Sequence, residues 1–229
     1  GRLTILKPYR PIAAGVDADI VRSVTIRHRD TENEIVISAD YIVDATALGD
    51  LLPMPGTEYA KGFEAQSDTG EPSAPEHAQP DNVQAVSICF AIDHVDGDQT
   101  IDKPQNYDYW KQYQPQFWGG PMLGFVAPNP RTLEYTTRSF TPNPDDDPLL
   151  VDADQRKGGG DENLWIFRRI AARKNFVPGF YQSDICLVNW PMIDYMDGTI
   201  IDVSDEEKAR HLKSAADLSY SVFYWLQTE

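Results

Sequence analysis

The sequence predicts a mixed α/β fold, α+β overall, on three observations. Short β-branched runs broken by turn residues fill residues 1–45. The nearly continuous apolar run Tyr41-Ile42-Val43-Asp44-Ala45-Thr46 reads as a strand buried on both faces of a parallel sheet. The C-terminal residues from about 205 read as a long, capped amphipathic helix.

Along the chain, strands are expected near 3–6, 11–14, 20–28 and 34–37, with Asp30-Thr31-Glu32-Asn33 as a hairpin turn. The run at 41–46 breaks at the small-residue turn Ala47-Leu48-Gly49-Asp50, and ligands of open α/β sheets bind outside such carboxyl ends of strands. Residues 53–82 are rich in Pro and Gly and read as a long loop. Residues 83–92 (VQAVSICFAI, beginning at Val83) read as a strand, 107–114 as a short aromatic helix, and 123–126 and 132–140 as strand-like pieces. Asn143 through Gly160 reads as an exposed excursion, 163–174 as a helix and 185–190 as a strand. Ser204 and Glu207 form a capping box for the last helix. Its apolar stripe runs through Ala209, Leu212, Ala216, Ser219, Phe223 and Leu226, with a second stripe at Ala215, Leu218, Val222 and Trp225. The chain opens without Met inside an apolar run, and its last helix stops without a Gly cap or a basic last turn, so a central piece of a larger protein is expected.

Composition excludes several classes. Of 229 residues, 20 are Lys or Arg and 36 Asp or Glu, a net charge of −16. Such a chain repels nucleic acid and anionic lipid at long range, and its charge otherwise reads as a solvated acidic surface. Cys89 and Cys186 make neither a disulfide framework nor a zinc motif, and both lie in apolar runs where a thiol is usually buried. His28, His77, His94 and His211 show no metal-ligand spacing, so no metal is expected. No run approaches the length of a membrane helix and no basic-then-apolar leader is visible, so a soluble, cytoplasmic protein is expected.

Four places could carry chemistry. Asp44, Ala45, Thr46, Gly49 and Asp50 could bring backbone close to a dinucleotide, or simply close a buried strand. Arg168, beside Arg169 and among Trp165, Ile166 and Ile170, could clamp a carboxylate or phosphate, or serve an amphipathic helix. Asn189 and Trp190, with Pro191, Asp194 and Tyr195, follow an apolar strand and could line a pocket or pack its end. Gln84, on a strand expected to be buried on both faces, must find partners there, structural or substrate. A Cys nucleophile, a Ser-His-Asp order, a glycosidase carboxylate pair and a phosphate loop find no support in the spacing.

Longer strings add a resemblance. ADYIVDATALGDLLPMPGTEYAKGFEA (39–65), TGEP (69–72), NVQAVSICFAID (82–93), LWIFRRI (164–170), LVNWPMIDY (187–195) and FYWLQTE (223–229) together resemble a family of bacterial FAD-dependent oxidoreductases. The resemblance implies a partial FAD/NAD(P)-binding, Rossmann-like flavoprotein. Residues 1–52 would belong to the FAD domain as its β-meander and returning parallel strand, 53–203 to a β-rich substrate or cap domain, and 204–229 to a helix leading back. It implies FAD as cofactor, held near Asp44, Ala45, Thr46, Gly49 and Asp50. A small organic substrate would give a hydride to the flavin near Gln84, Arg168, Asn189, Trp190 and Tyr195. Ala45-Thr46-Ala47 departs from the related Ala-Thr-Gly at its third position, and Gly-x-Gly-x-x-Gly, which seats the pyrophosphate, occurs nowhere. The remaining flavoprotein segments are therefore expected in cis or in trans, and these residues alone are expected to hold FAD weakly. A non-catalytic carbohydrate- or ligand-binding β-rich module is the alternative, for which exposed Trp side chains are expected.

Overall fold

The computed structural model describes residues 3–116, 118–129, 132, 134–144 and 163–229, so most of the excursion expected at 143–160 lies outside the described residues. The chain forms two compact units, Gly1–Val83 and Gln84–Glu229.

The first unit is built on an antiparallel meander of β1 (Tyr9–Asp17), β2 (Ile20–His28) and β3 (Glu34–Ser38), with β2 in the middle. Its second turn closes where expected. The His28 N–H donates to the Asn33 carbonyl at 2.8 Å, His28 Nδ1 accepts from Asp30 and Thr31 N–H, and Glu32 takes the left-handed region at φ 59°. Two expected strands are not formed. Around residues 3–6, Leu3 and Ile5 are exposed and pair with nothing described. The run at 41–46 forms no strand, and Tyr41 and Val43 are 91 % and 83 % exposed. The physical reason is the same for both: no described strand lies alongside to take up their backbone N–H and C=O groups. The long loop carries one short helical turn, α1 (Gln66–Thr69), and is pinched by a Phe63–Gln79 bridge. A side chain at Gly62, where φ is +69°, would put Cβ 2.2 Å from the Gln79 oxygen, so the close approach there needs glycine.

Among its described residues the second unit has three small antiparallel sheets: β4 (Val86–Ser87) with β10 (Asp194–Tyr195); β5 (Phe90–Ile92), β9 (Ile185–Val188) and β8 (Arg169–Ala171), with β9 central; and β6 (Val126–Pro128) with β7 (Tyr135–Thr137). Its helices are α2 (Tyr107–Gln112), α3 (Leu164–Phe167) and α4 (Asp205–Thr228). The strand expected at 83–92 divides in two because β4 pairs with β10 and β5 with β9. At the break the Ile88 carbonyl accepts from Ser219 Oγ on α4 at 2.8 Å. The helix expected at 163–174 is also corrected. It lasts one turn as α3, and Arg169–Ala171 then joins β9 as a strand. Tertiary pairing with β9 overrides the helical pattern there.

α4 opens with the expected reciprocal capping box of Ser204 and Glu207. Its buried face is His211, Ala215, Leu218 and Val222, centred on the second stripe, while Ala209 of the first is exposed. This face packs into a core holding Trp110, Met122, Trp165, Val188, Trp190 and Ile193. Among the described residues no helix is long and apolar enough to cross a membrane.

Candidate functional site

In the first unit the five residues expected on the cofactor side share one turn. Asp44 organises it: Oδ1 accepts from the Thr46 N–H at 2.8 Å and Oδ2 from the Leu51 N–H at 3.1 Å. Thr46 Oγ1 accepts from the Asp50 N–H at 2.7 Å, and the Gly49 carbonyl from the Leu52 N–H at 3.0 Å. Gly49 adopts φ +68°. The Thr46 backbone and side-chain contacts, then Leu51, hold the Asp44 carboxyl below its ordinary range. The turn uses its inner N–H groups on itself, whereas those of Ala45, Ala47, Leu48 and Gly49 donate to no described residue. Ala45, Ala47 and Leu48 are exposed. A cavity of about 130 Å³ lies under the turn, lined by Ala14, Val21, Val24, Ile42, Asp44 and Leu51 among others.

In the second unit a polar group forms where β4 meets β10. The register sets Asp194 opposite Ser87, and Ser87 Oγ donates to Asp194 Oδ1 in a short hydrogen bond. Burial pushes the Asp194 carboxyl up, opposed by the Ser87 bond and by the positive charge of Arg168. Arg168 caps α3, and its carbonyl accepts from the Leu187 N–H of β9 at 2.9 Å. Its guanidinium lies 4.8 Å from the Phe167 ring, and its Nε is buried without a described partner. The same burial drives the Cys186 thiol up to about 12, leaving it an inert core residue. Cys89, expected to be buried, is exposed.

The other expected substrate-side residues are dispersed. Gln84 is exposed just before β4; the strand it was expected to be buried on starts only at Val86. Asn189 follows β9 half-buried, and its carboxamide bonds to no described residue. Trp190 is 1 % exposed and packs edge-on against Phe140 at 5.4 Å, so its ring faces are core surfaces. Tyr195 is buried with its hydroxyl 2.8 Å from His211 Nδ1. Arg210 Nη2 lies 3.2 Å from His211 Nε2, and because a guanidinium only donates, the imidazole proton sits on Nδ1 and points to Tyr195.

Sequence reasoning missed three features. Asp194 was noticed only as a neighbour of Tyr195; its partner Ser87 is 107 residues away. His211 was set aside for want of metal spacing, although it lies four residues before Ala215 on the second apolar stripe, which is the signal that finds it. The third is a cavity of about 580 Å³ walled by Phe140, Trp165 and Phe223 and rimmed by Asp93, His94 and Gln99. At its edge Gln227 pins the loop, accepting from the Ile101 N–H at 3.1 Å and donating to the Gln99 carbonyl at 2.7 Å.

Asp194 gives a pH prediction with a definite sign. Its folded-state pKa is raised, so the charged form disfavours folding, and stability falls as pH rises through the folded pKa. The Asp194→Asn protein is therefore expected to melt above the parent at neutral pH and to lose that advantage below the ordinary carboxylate range near 3.8. Thermal melts across pH check this; an advantage that persists unchanged in acid would refute it.

No curated protein and no solved structure gives a significant match to the chain. A family model described as FAD dependent oxidoreductase does, over residues 1–228. A match of that extent takes in both the turn around Asp44 and the Ser87–Asp194–Arg168 group, and on it the chain belongs to the FAD dependent oxidoreductase family.

Proposed function

We propose that the protein works as a flavin oxidoreductase on a small organic substrate, with the Asp44–Asp50 turn on the cofactor side and the Arg168 region on the substrate side. The single observation that carries this reading is the family membership over residues 1–228, whose cofactor is FAD. The turn fits that cofactor. Ala45, Ala47, Leu48 and Gly49 offer unpaired N–H groups on a backbone with mostly small side chains, and Asp44 keeps that backbone in place. When bound, FAD supplies the redox chemistry by accepting a hydride from the substrate. The protein's own part is positioning: Arg168 and Asn189 hold substrate polar groups, Gln84 serves the entrance, and Trp190 and Tyr195 fix the strand end from behind.

We further propose that residues 1–52 belong to a Rossmann-like FAD domain, 53–203 to a substrate cap and 204–229 to a returning helix. Because these residues contain no Gly-x-Gly-x-x-Gly, the pyrophosphate is gripped by other segments in cis or in trans. The alternative of a carbohydrate-binding module loses its main support, since Trp110, Trp118, Trp165 and Trp190 are all buried.

Titrating the 229-residue chain with FAD tests the assignment. Weak or undetectable binding is expected from the chain alone, and bleaching of the flavin band by a small organic reductant when the remaining segments are supplied. A tight stoichiometric complex of the chain alone would sink the shared-grip proposal. A protein that takes up no flavin even with those segments would sink the oxidoreductase reading.

A further inference from the structure

The cavity of about 580 Å³ lies wholly in the second unit, and its described lining contains no residue of the Asp44 turn, nor Arg168, Asn189 or Tyr195. Cavities of this volume hold small organic molecules. One side is aromatic and rests on the core. Phe140 stands edge-on to Trp165 at 5.6 Å and to Trp190 at 5.4 Å, and Phe223 edge-on to Phe90 at 5.7 Å. Phe140 and Phe223 are only half-buried, so both keep apolar surface for an occupant, and Leu226 of α4 adds another apolar side chain to the lining.

The other side is acidic. Asp93, His94 and Asp98 come from one loop, residues 93–101, which the rest of the unit holds at three points. The His94 N–H donates to Ser183 Oγ at 3.0 Å, the Ile101 N–H to Gln227 Oε1 at 3.1 Å, and Gln227 Nε2 to the Gln99 carbonyl at 2.7 Å. Within the loop, Asp98 Oδ1 accepts from the Thr100 N–H at 2.9 Å. Its contacts with the Thr100 side chain and backbone hold the Asp98 carboxyl below the ordinary range, so it carries its charge at neutral pH. The Asp93 carboxylate bonds to no described residue, and both aspartates are exposed. No Lys or Arg stands among the described lining residues to neutralise them.

Two carboxylates without a basic neighbour repel an anion and attract a cation. Aromatic walls favour a flat apolar body, and ring faces attract an ammonium as well. We propose that this cavity binds a small primary amine carrying an aromatic ring. The ring lies against Phe140 and Phe223, and the ammonium donates to Asp93 and Asp98. The site does not depend on the oxidoreductase reading, since neither flavin nor the Asp44 turn enters its chemistry.

NMR titration of the 229-residue chain tests the site, with 2-phenylethylamine, 2-phenylethanol, 3-phenylpropanoate and ethylamine as probes. 2-Phenylethylamine is expected to bind saturably and to shift the amides of residues 93–101. The uncharged 2-phenylethanol is expected to bind about tenfold more weakly, the worth of one hydrogen bond to a charged group, and the other two more weakly still. Asp93→Asn combined with Asp98→Asn is expected to bring the amine down to the affinity of the alcohol. The melting temperature holds in that variant, because a carboxamide oxygen at position 98 still accepts from Thr100. Phe223→Leu is expected to weaken amine and alcohol alike, by about threefold to tenfold, the worth of one aromatic contact. The net charge of −16 attracts any cation, so ethylamine binding as tightly as 2-phenylethylamine would assign the effect to the acidic surface at large and overturn the proposal. So would 3-phenylpropanoate binding as tightly as the amine, amine affinity unchanged in the double variant, or no saturable binding of the amine.

Discussion

Asp184→Ala lowers the stability of the second unit by about 3–5 kcal/mol, the usual consequence of stripping one partner from a buried ion pair. Arg169 Nη1 meets Asp184 Oδ2 at 2.9 Å, and Asp184 Oδ1 accepts from the Arg173 N–H at 2.8 Å. Both side chains are almost wholly enclosed. Removing the carboxylate leaves a guanidinium charge in the interior and an orphaned backbone donor at the turn after β8. At about 2–4 °C per kcal/mol for a chain of this size, the melting temperature falls by about 6–20 °C. The double variant Arg169→Met with Asp184→Leu recovers most of the loss, because it removes the desolvated charges together. Thermal or urea melts of the three proteins decide the matter. A loss below about 1 kcal/mol for Asp184→Ala would mean that the pair behaves like a surface bridge.

The second large effect is Trp190→Ala, expected to cost about 3–5 kcal/mol through loss of buried aromatic area and the cavity left behind. Trp190 is 1 % exposed and sits against Phe140, itself edge-on to Trp165 at 5.6 Å. Its indole Nε1 has no described acceptor, so Trp190→Phe discards an unsatisfied N–H along with some area and costs far less. Denaturant melts of both variants distinguish packing from ligand stacking. Full stability in Trp190→Ala with ligand binding alone lost would show that the ring serves the ligand rather than the core.

How much was legible in the sequence depended on range. β2 falls on the expected 20–28, and α4 opens at its capping box, because alternation and capping are local signals. The Asp44 turn was legible for the same reason, since every one of its hydrogen bonds spans seven residues or fewer. What failed was decided at a distance. Residues 169–171 carry a helical pattern but become a strand, because β9 offers a ladder and Asp184 a partner for Arg169. Residues 83–92 look like one strand but serve two partners. Arg168 was visible as a candidate, whereas the bond between Ser87 and Asp194 depends on β4 and β10 meeting.

The meander of the first unit has little beneath it. Among the described residues of that unit, Val24 and Ala65 are the buried apolar side chains, against a dense aromatic core in the second. A three-stranded ladder with so small an interior opens locally at a free energy well below that of global unfolding. Amide exchange therefore divides the polypeptide into a labile and a slow cooperative block, with the Asp44 turn in the first and Arg168 in the second. The slow block keeps its charged groups in register through openings that repeatedly release the labile one.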